Sequence, residues 1–286
     1  QSLTFEFPTL VANLHTMLSF SVLSCAILSI HSTTAINYGS NNGHTECHGN
    51  CDEDWSDLTN YDKEADRIYY IACVDVEWDY APSGKNLVTG ETIVEGMEEA
   101  TWLIGDNQEL IGRKYLKGLY REFTDNCFDE QRERNSRDEH LGALGPNIRA
   151  LTGERIKVFY KNMCQFPNSM HPHGVKYDKS SEGAPYNDQS VDGDIVEPGE
   201  RWIYIWDARD TNVDEGYSSK MWLYHSHVDE VRDIYTGLIG AIIVTKNGEE
   251  VDSDDDLRPK DVDREFTTFF VLYNENESLY VEENVE

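Results

Sequence analysis

The chain has 286 residues, of which 39% are hydrophobic and 11% aromatic, which suffices to bury a core and argues against wholesale disorder. Its 54 acidic and 24 basic residues give a formal net charge of −30. Nucleic acids and anionic lipids are bound by clusters of Lys and Arg, so this charge argues against both as partners. An acidic surface by itself predicts solubility and an attraction for cations, and no particular partner.

The N-terminal segment is predicted to be a leader. Residues 18–30 form an apolar run that is short for a membrane span, and Thr33 and Ala35 follow at positions that a signal peptidase reads. Residues 1–35 contain no Lys or Arg, which departs from an ordinary signal peptide and leaves an N-terminal anchor or translated upstream sequence as alternatives. We expect secretion, and therefore an extracellular or cell-surface protein.

Secretion implies an oxidising compartment in which cysteines pair. Cys25 would leave with the leader, and the remaining five are an odd number, so one of them is free or pairs outside this chain. These five are Cys47, Cys51, Cys73, Cys127 and Cys164. Cys47 and Cys51 are expected to close a small disulfide loop rather than to bind a metal, and the pairing of the others stays open.

Strand signals dominate the middle of the chain. Residues 36–65 are polar and acidic and are predicted to be a lead-in that contributes little to the core. After it come short segments that are rich in β-branched and aromatic residues or alternate apolar with polar residues, at 67–78, 153–160, 199–206, 221–224 and 237–244. Clusters of Gly, Pro, Asn and Asp separate them, and no long helical period is present. The pattern predicts an all-β, antiparallel sandwich or barrel over residues 66–247.

The C-terminal segment predicts one more strand. The acidic residues 252–256 and Pro259 mark a break, after which residues 266–273 again have strand character. One strand cannot form a domain, so residues 248–286 are expected to be a linker and the start of a second domain.

Four of the nine histidines form two His-x-His pairs, His171 with His173 and His225 with His227. In an extended strand, residues i and i+2 point to the same side, and Pro172 favours extended backbone at His171. Each pair can therefore direct two imidazoles at one metal ion or at two adjacent ions. One pair alone would be weak evidence, but two pairs beside strand signals predict a metal site.

The surrounding residues narrow the choice of metal. No Cys flanks either pair, which disfavours a thiolate zinc site, and no carboxylate is expected at the helical spacing found in hydrolytic zinc sites. Four neutral imidazoles suit copper, zinc or nickel, and in a secreted β-sandwich they favour copper. Ser226 stands where a type 1 copper site would need a thiolate, so no blue copper is expected. His140 has no His neighbour and is predicted to be structural.

A family resemblance lies in the two histidine-bearing stretches, residues 171–186 and 224–240. It extends to residues 69–72, 77–80, 111–125, 140–146, 263–266 and 274–278. They resemble the first cupredoxin domain of multicopper oxidases of the ceruloplasmin and hephaestin type, a family that includes the A domains of coagulation factors five and eight. The resemblance runs from about residue 66 to the end of the sequence. It implies a cupredoxin-like Greek-key β-sandwich or barrel, plus the first strand of a truncated second cupredoxin domain.

The resemblance also implies a role for each paired histidine. His171 falls on a type 2 copper, His173 and His225 on one type 3 copper, and His227 on the other type 3 copper. The remaining ligands of this trinuclear cluster would come from a C-terminal cupredoxin domain of the same full-length chain. Such a cluster reduces dioxygen to water, with ferrous iron as the typical electron donor in this branch and another reductant left open. The chain alone is expected to be inactive.

Two further sites come with the resemblance. Glu182 stands where related oxidases carry a carboxylate that assists proton delivery, and an ordinary solvated Glu is an equal alternative. The family's calcium ion would fall on the carbonyl of Lys179 and on Gln189, Asp192 and Asp194, because oxygen ligands suit calcium.

Function can then be stated as alternatives. The first is the N-terminal copper-binding domain of a secreted multicopper oxidase with ferroxidase activity. The second is a non-catalytic assembly module that binds calcium or copper, as the A domains do. A third, a short copper protein that builds its cluster between subunits, is disfavoured by the ceruloplasmin-like linker. The presence of all four cluster histidines favours the enzyme.

Overall fold

The computed structural model describes residues 54–93, 111–186, 192–209, 212–251 and 257–285. Within these ranges, eight strands form two four-stranded sheets. The strands are β1 (Arg67–Asp79), β2 (Lys114–Glu122), β3 (Ile148–Leu151), β4 (Arg155–Asn162), β5 (His171–Pro172), β6 (Arg201–Asp207), β7 (Ser219–His225) and β8 (Ile239–Thr245). The predicted all-β class is confirmed.

Both sheets are mixed, whereas the sequence predicted antiparallel pairing. The first has the order β2-β1-β4-β6, and β1 runs parallel to β4 but antiparallel to β2. The second has the order β3-β8-β7-β5, and β3 runs parallel to β8 but β7 and β5 run antiparallel to their neighbours. The physical reason is that β1–β4 and β3–β8 are not consecutive in sequence, so their connections cross between sheets instead of turning in tight hairpins.

The two sheets share one core. Ile71 and Val158 from the first sheet and Ile148 and Ile242 from the second belong to a single cluster of buried side chains. In β1, β4 and β6 the residues alternate between this cluster and a second one on the outer face of the same sheet. That period of two is the burial pattern of a sheet covered on both faces.

The outer cluster is closed by the segment that precedes β1, which the sequence predicted to contribute little to the core. That prediction is wrong for residues 54–60. Trp55 is only 2% exposed and packs against Phe128 and Phe159, with ring centroids 5.8 and 5.1 Å apart. Asn60 is also buried and donates to the backbone carbonyl of Ile203 at 2.7 Å. One large aromatic ring can anchor a polar segment to the core. Such a segment shows no periodic alternation of apolar residues, so the sequence pattern does not reveal that it is part of the core.

A disulfide ties two strands of the first sheet together. Cys73 in β1 is bonded to Cys164, which follows β4, across a sequence separation of 91 residues. Cys127 is also disulfide-bonded. The loop predicted for Cys47 and Cys51 lies outside the described residues. The oxidised state of these cysteines agrees with the expected oxidising compartment.

Short helices occupy the connections. The helix α1 (Glu230–Thr236) joins β7 to β8 and ends at Gly237, whose φ of 126° is in the range that favours glycine. The helix α2 (Val281–Val285) lies near the C-terminus, and short 3₁₀ turns occur at Trp55–Asp57, Glu139–Leu141, Lys179–Ser181 and Glu275–Glu277. Among the described residues, no helix has the length and apolar character needed to cross a membrane.

The strand predicted at residues 266–273 is not a strand in this structure. A strand requires a neighbouring backbone to complete its hydrogen bonds, and none of the described strands pairs with this segment. Phe270 and Leu272 are 79% and 90% exposed. His140 accepts a hydrogen bond from the Thr267 backbone, which supports its predicted structural role. The assignment of this segment to a second domain stays a prediction.

We expect Trp55→Ala to lower the free energy of unfolding by about 3–5 kcal/mol, because it removes a buried aromatic ring and leaves a cavity. Phe270→Ala, which truncates an exposed ring, should change it by less than about 0.5 kcal/mol. Urea unfolding followed by circular dichroism measures both. Equal stability of the two variants would show that residues 54–60 are not part of the cooperative fold.

Candidate metal centre

The two His-x-His pairs meet where β5 lies against β7. In this antiparallel pair, His171 is directly opposite His225. Each is followed two residues later by the second member of its pair, His173 or His227, just beyond the strand. The His173 backbone continues the pairing by donating to the carbonyl of Leu223 at 2.8 Å. The predicted convergence of the four histidines is therefore present in the structure.

The four imidazoles form one compact group. The His171 ring centroid lies 5.0 Å from that of His173, 5.6 Å from that of His225 and 5.0 Å from that of His227. The centroids of His173 and His225 are 5.0 Å apart, and those of His225 and His227 are 5.7 Å apart. His171 and His225 are buried, His227 is partly buried and His173 is exposed, so the group lies at the surface with one open side.

Backbone carbonyls fix the orientation of the two buried rings. Nδ1 of His171 lies 2.6 Å from the carbonyl oxygen of Glu182, and Nδ1 of His225 lies 2.8 Å from that of Ser226. Because a carbonyl can only accept, each Nδ1 carries the proton and donates it. In the neutral ring, Nε2 then carries the lone pair, which is the arrangement that metal-binding histidines use.

Burial keeps these rings neutral. It lowers the pKa of His171 and of His173, and it lowers the pKa of His225 to about 4, with the neighbouring imidazoles adding to the effect in the buried pair. Neutral imidazole is the form that binds transition metals. The donor set therefore fits copper at neutral pH.

One nitrogen–nitrogen contact within the group is too short for two ligands of one tetrahedral metal ion. Nε2 of His173 lies 2.8 Å from Nε2 of His225, and since the proton of His225 is on Nδ1, His173 donates and His225 accepts. Two nitrogen ligands of one tetrahedral ion, each about 2.0–2.1 Å from it, would be roughly 3.3 Å apart. In line with this, no three His, Cys, Asp or Glu groups of the described chain converge on one metal position. Metal binding would require the His173–His225 hydrogen bond to break.

A buried polar network holds the two histidine-bearing segments together. Ser169 precedes β5, and its backbone N–H donates to Oγ of Ser226 at 3.0 Å. The hydroxyl of Ser169 accepts from the backbone N–H of His227 at 3.1 Å. Ser226 in turn donates to Oδ2 of Asp233 at 2.6 Å. The same oxygen accepts from the backbone N–H groups of Val228 and Asp229. Asp233 is fully buried on α1, so one carboxylate orders the turn that contains His227.

Two glycines let the backbone approach closely enough for these contacts. Gly183 has φ of 64°, and a Cβ there would collide with the backbone carbonyl of Met170, so only glycine brings the Glu182 carbonyl to His171. Gly174 has φ of 71°, and a Cβ there would collide with the ring of Trp222. The residue that follows His173 must therefore be glycine for the chain to turn away over that ring.

Glu182 contributes to the site in two ways. Its carbonyl orients His171, as described, which sequence reasoning did not anticipate. Its carboxylate pairs with Lys179 Nζ at 3.1 Å and accepts from the hydroxyl of Tyr186 at 3.3 Å. The ring of Tyr186 lies 6.3 Å from that of His227, so the hydrogen-bond partner of the carboxylate packs beside the histidine group.

The residues predicted to bind calcium are engaged differently. The carbonyl of Lys179 accepts from the backbone of Glu182 in a 3₁₀ turn, and the Lys179 ammonium donates to the buried carboxylate of Asp194 at 3.0 Å. Asp192 is exposed, and Gln189 lies outside the described residues. A side-chain cation thus already neutralises Asp194, and the calcium site stays a prediction.

Sequence reasoning missed Glu230 as a neighbour of the histidines. Its carboxylate lies 3.7 Å from Nε2 of His227 and 3.9 Å from Nε2 of His225. The expectation that no carboxylate stands at helical spacing is therefore wrong, since Glu230 is three residues after His227 and begins α1. The spacing is visible in the sequence, but a seven-residue helix is too short to show a hydrophobic period.

Comparisons with known proteins show which family this chain resembles in sequence. Residues 141–249, which include both histidine pairs, match the family model described as multicopper oxidase. The chain is 38% identical to the human "Ferroxidase HEPHL1" over 226 residues, which are 77% of this chain and 19% of that protein. It is 40% identical to ceruloplasmin of Rattus norvegicus over 226 residues, 77% of this chain and 21% of that protein. With human hephaestin the identity is 36% over 237 residues, 81% of this chain and 20% of that protein. The chain thus spans about a fifth of the length of these curated relatives.

We expect Asp233→Ala to lower the free energy of unfolding by at least about 2 kcal/mol, because it leaves the Ser226 hydroxyl and two backbone N–H groups without their buried acceptor. It should also weaken Cu²⁺ binding by about tenfold, since the turn that positions His227 loses its anchor. Asp233→Asn keeps one acceptor oxygen and should retain more of both properties. Urea unfolding and a Cu²⁺ titration against a competing chelator measure the effects. Full copper affinity in a destabilised Asp233→Ala chain would contradict the positioning role.

Proposed function

The chain belongs to the multicopper oxidases of the ceruloplasmin and hephaestin type, and on that basis we propose that it is the copper-binding N-terminal domain of a secreted enzyme of this family. In this proposal the domain supplies half of the ligands of a trinuclear copper cluster that reduces dioxygen to water. Ferrous iron is the proposed electron donor.

The observation that supports the proposal is the convergence of four imidazoles at one open surface. Four imidazoles cannot complete the coordination of three copper ions, since each ion takes about three or four ligands. The remaining ligands must come from outside this segment, and the exposed side of His173 leaves room for them. A C-terminal cupredoxin domain of a longer chain is the proposed source, in keeping with relatives about five times as long.

The proposed assignment gives each histidine a place. His171 would hold the type 2 copper, His173 and His225 one type 3 copper, and His227 the other. The chemistry supplied by bound copper is one-electron transfer to dioxygen. The protein's part is to fix the two buried rings through their Nδ1–H bonds to carbonyls, so that each Nε2 is presented to the metal.

Glu182 is the proposed proton-delivery group. Its carboxylate accepts from the hydroxyl of Tyr186, whose ring packs beside His227, and its carbonyl holds His171, so this residue adjoins the site. The ion pair with Lys179 holds the carboxylate in place.

A secreted or cell-surface location is part of the proposal. The predicted leader and the disulfide between Cys73 and Cys164 support it, because such bonds persist in oxidising compartments. A cytosolic location with reduced cysteines would be incompatible with it.

The copper assignment predicts a selective loss of binding. In the 286-residue chain, His225→Ala should weaken Cu²⁺ binding by about ten- to hundredfold, whereas His140→Ala, which removes a structural histidine, should leave it unchanged. The copper-loaded chain should show no intense blue band, because Cys73, Cys127 and Cys164 are all disulfide-bonded and no thiolate is available among the described residues. Equal weakening by the two variants, or a strong visible band, would contradict the assignment.

The shared cluster predicts that the chain alone does not turn over. With ferrous iron in an oxygen-electrode assay, the copper-loaded chain should consume oxygen no faster than free copper, because half of the ligands are missing. A longer chain that includes the last cupredoxin domain should be active and should lose activity in His173→Ala and His227→Ala. Turnover by the 286-residue chain alone would favour a cluster assembled between identical copies.

A further inference from the structure

Residues 273–284, here named the clasp, lie against β2 at the edge of the first sheet. The side chain of Asn284 accepts from the backbone N–H of Leu116 at 2.6 Å and donates to the carbonyl of the same residue at 3.2 Å. One side-chain amide thus pairs with the sheet edge as a neighbouring strand would. Tyr280 is 1% exposed, and its ring centroid lies 5.2 Å from that of Phe166. These contacts fasten the clasp to the first sheet.

A buried lysine joins the clasp to the helix α1. The side chain of Lys117, in β2, is fully buried. Its ammonium donates to Oε1 of Glu275 in the clasp at 2.7 Å and to the backbone carbonyl of Tyr235 in α1 at 2.8 Å. It also lies 4.9 Å from the ring centroid of Tyr273, a cation–π distance. Because a buried ammonium needs such partners in place of water, Lys117 fixes the clasp and the helix at one point.

A second set of contacts joins the clasp to the same end of the helix. The backbone N–H of Leu279 donates to Oγ1 of Thr236 at 2.8 Å, and the hydroxyl oxygens of Thr236 and Ser278 are 3.4 Å apart. Thr236 and Ser278 are both fully buried. Tyr235 and Thr236 are the last two residues of α1, so the clasp and Lys117 together hold its C-terminal turn, where the helix itself leaves carbonyls unpaired.

The other contacts of α1 lead to the histidine group. Asp233, in the middle of the helix, accepts from the Ser226 hydroxyl and from the backbone N–H groups of Val228 and Asp229, on either side of His227. The helix has seven residues, and isolated helices of that length are not stable in water. Its position therefore depends on tertiary contacts such as those of the clasp. A displacement of α1 would displace the turn that contains His227.

We infer that the clasp belongs to the fold of this domain and that Lys117 is a positioning residue for the histidine group, acting through α1. The inference rests on the proposed function in its last step, because the position of the turn matters for copper only if His225 and His227 bind it. The alternative is the sequence prediction for residues 248–286, a linker and the start of a second domain, on which the histidine group would not depend.

Native-state amide hydrogen exchange of the metal-free 286-residue chain tests the coupling. Glu275→Gln removes the negative charge beside Lys117 with little change in shape, and Thr236→Val removes the acceptor of the Leu279 N–H. Both should speed the exchange of the two backbone amides that donate to Asp233 by at least about tenfold. The amides of β4 should exchange as in the wild type, since β4 does not contact the clasp.

The effect on the metal centre is measured by titrating Cu²⁺ against a competing chelator and by EPR of the bound ion. Lys117→Met, which removes the buried cation, should weaken Cu²⁺ binding by about fivefold or more and change the EPR spectrum, because the turn that carries His227 moves. Glu275→Gln and Thr236→Val should act in the same direction, and they carry both measurements if Lys117→Met does not fold. Trp55→Ala is the control, since it destabilises the domain at the outer cluster, and its copper spectrum should be that of the wild type.

Unchanged exchange of the two amides in both Glu275→Gln and Thr236→Val would overturn the inference. Uniformly faster exchange in all strands would assign the effect to a general loss of stability and would overturn it as well. Selectively faster exchange with wild-type copper affinity and EPR spectrum would overturn the positioning role of Lys117. If His225→Ala binds copper as tightly as the wild type, the proposed function fails instead, and the exchange of the metal-free chain still decides whether the clasp holds the turn.

Discussion

The candidate centre depends on the register between β5 and β7, which places His171 opposite His225. A slip of either strand by one residue would turn both histidines of its pair to the other face of the sheet. Yet β5 is only two residues long, so its own ladder cannot hold the register. The segment before it is fixed instead by side chains of the core, and this is the constraint on which the site depends.

Buried tyrosines hold much of the segment that precedes β5 in place. The hydroxyl of Tyr120 donates to the carbonyl of Ser169, that of Tyr160 donates to the side chain of Asn168, and that of Tyr204 accepts from the backbone of Met170. All three rings are fully buried, and the ring centroid of Tyr160 lies 6.1 Å from that of Tyr120 and 6.0 Å from that of Tyr204. The three rings therefore pack against one another in a row. A hydroxyl in an apolar core is costly without its partner, so each bond penalises any displacement of the backbone that it holds. The hydrophobic core thus sets the position of the polar centre.

The sequence was enough to predict the local part of this arrangement, but few of the contacts between distant segments. The alternation of strand residues was enough to predict that His171 and His173 act together, and the strand signals located β1, β4, β6, β7 and β8. The roles of Asp233 and of the Glu182 carbonyl depend on contacts between segments far apart in the chain, for which one sequence has no periodic signal. The failed strand at residues 266–273 shows the converse, because its composition favours a strand but no described strand lies beside it.

The unequal burial of the four histidines fits a site that, in the proposed enzyme, completes its ligation with another domain. His171 and His225 are 8% and 3% exposed, and their Nδ1–H groups are committed to carbonyls, so their orientation is set by folding. His173 and His227 lie past the strand ends on the open side, where fewer contacts restrict them. His173 donates its Nε2–H to Nε2 of His225, which satisfies a buried lone pair that would otherwise be unpaired. In the proposed enzyme, a copper ion held by His173 and His225 would take the place of that hydrogen bond. The two buried rings would then guide assembly, and the two more exposed rings would adapt to the incoming ligands.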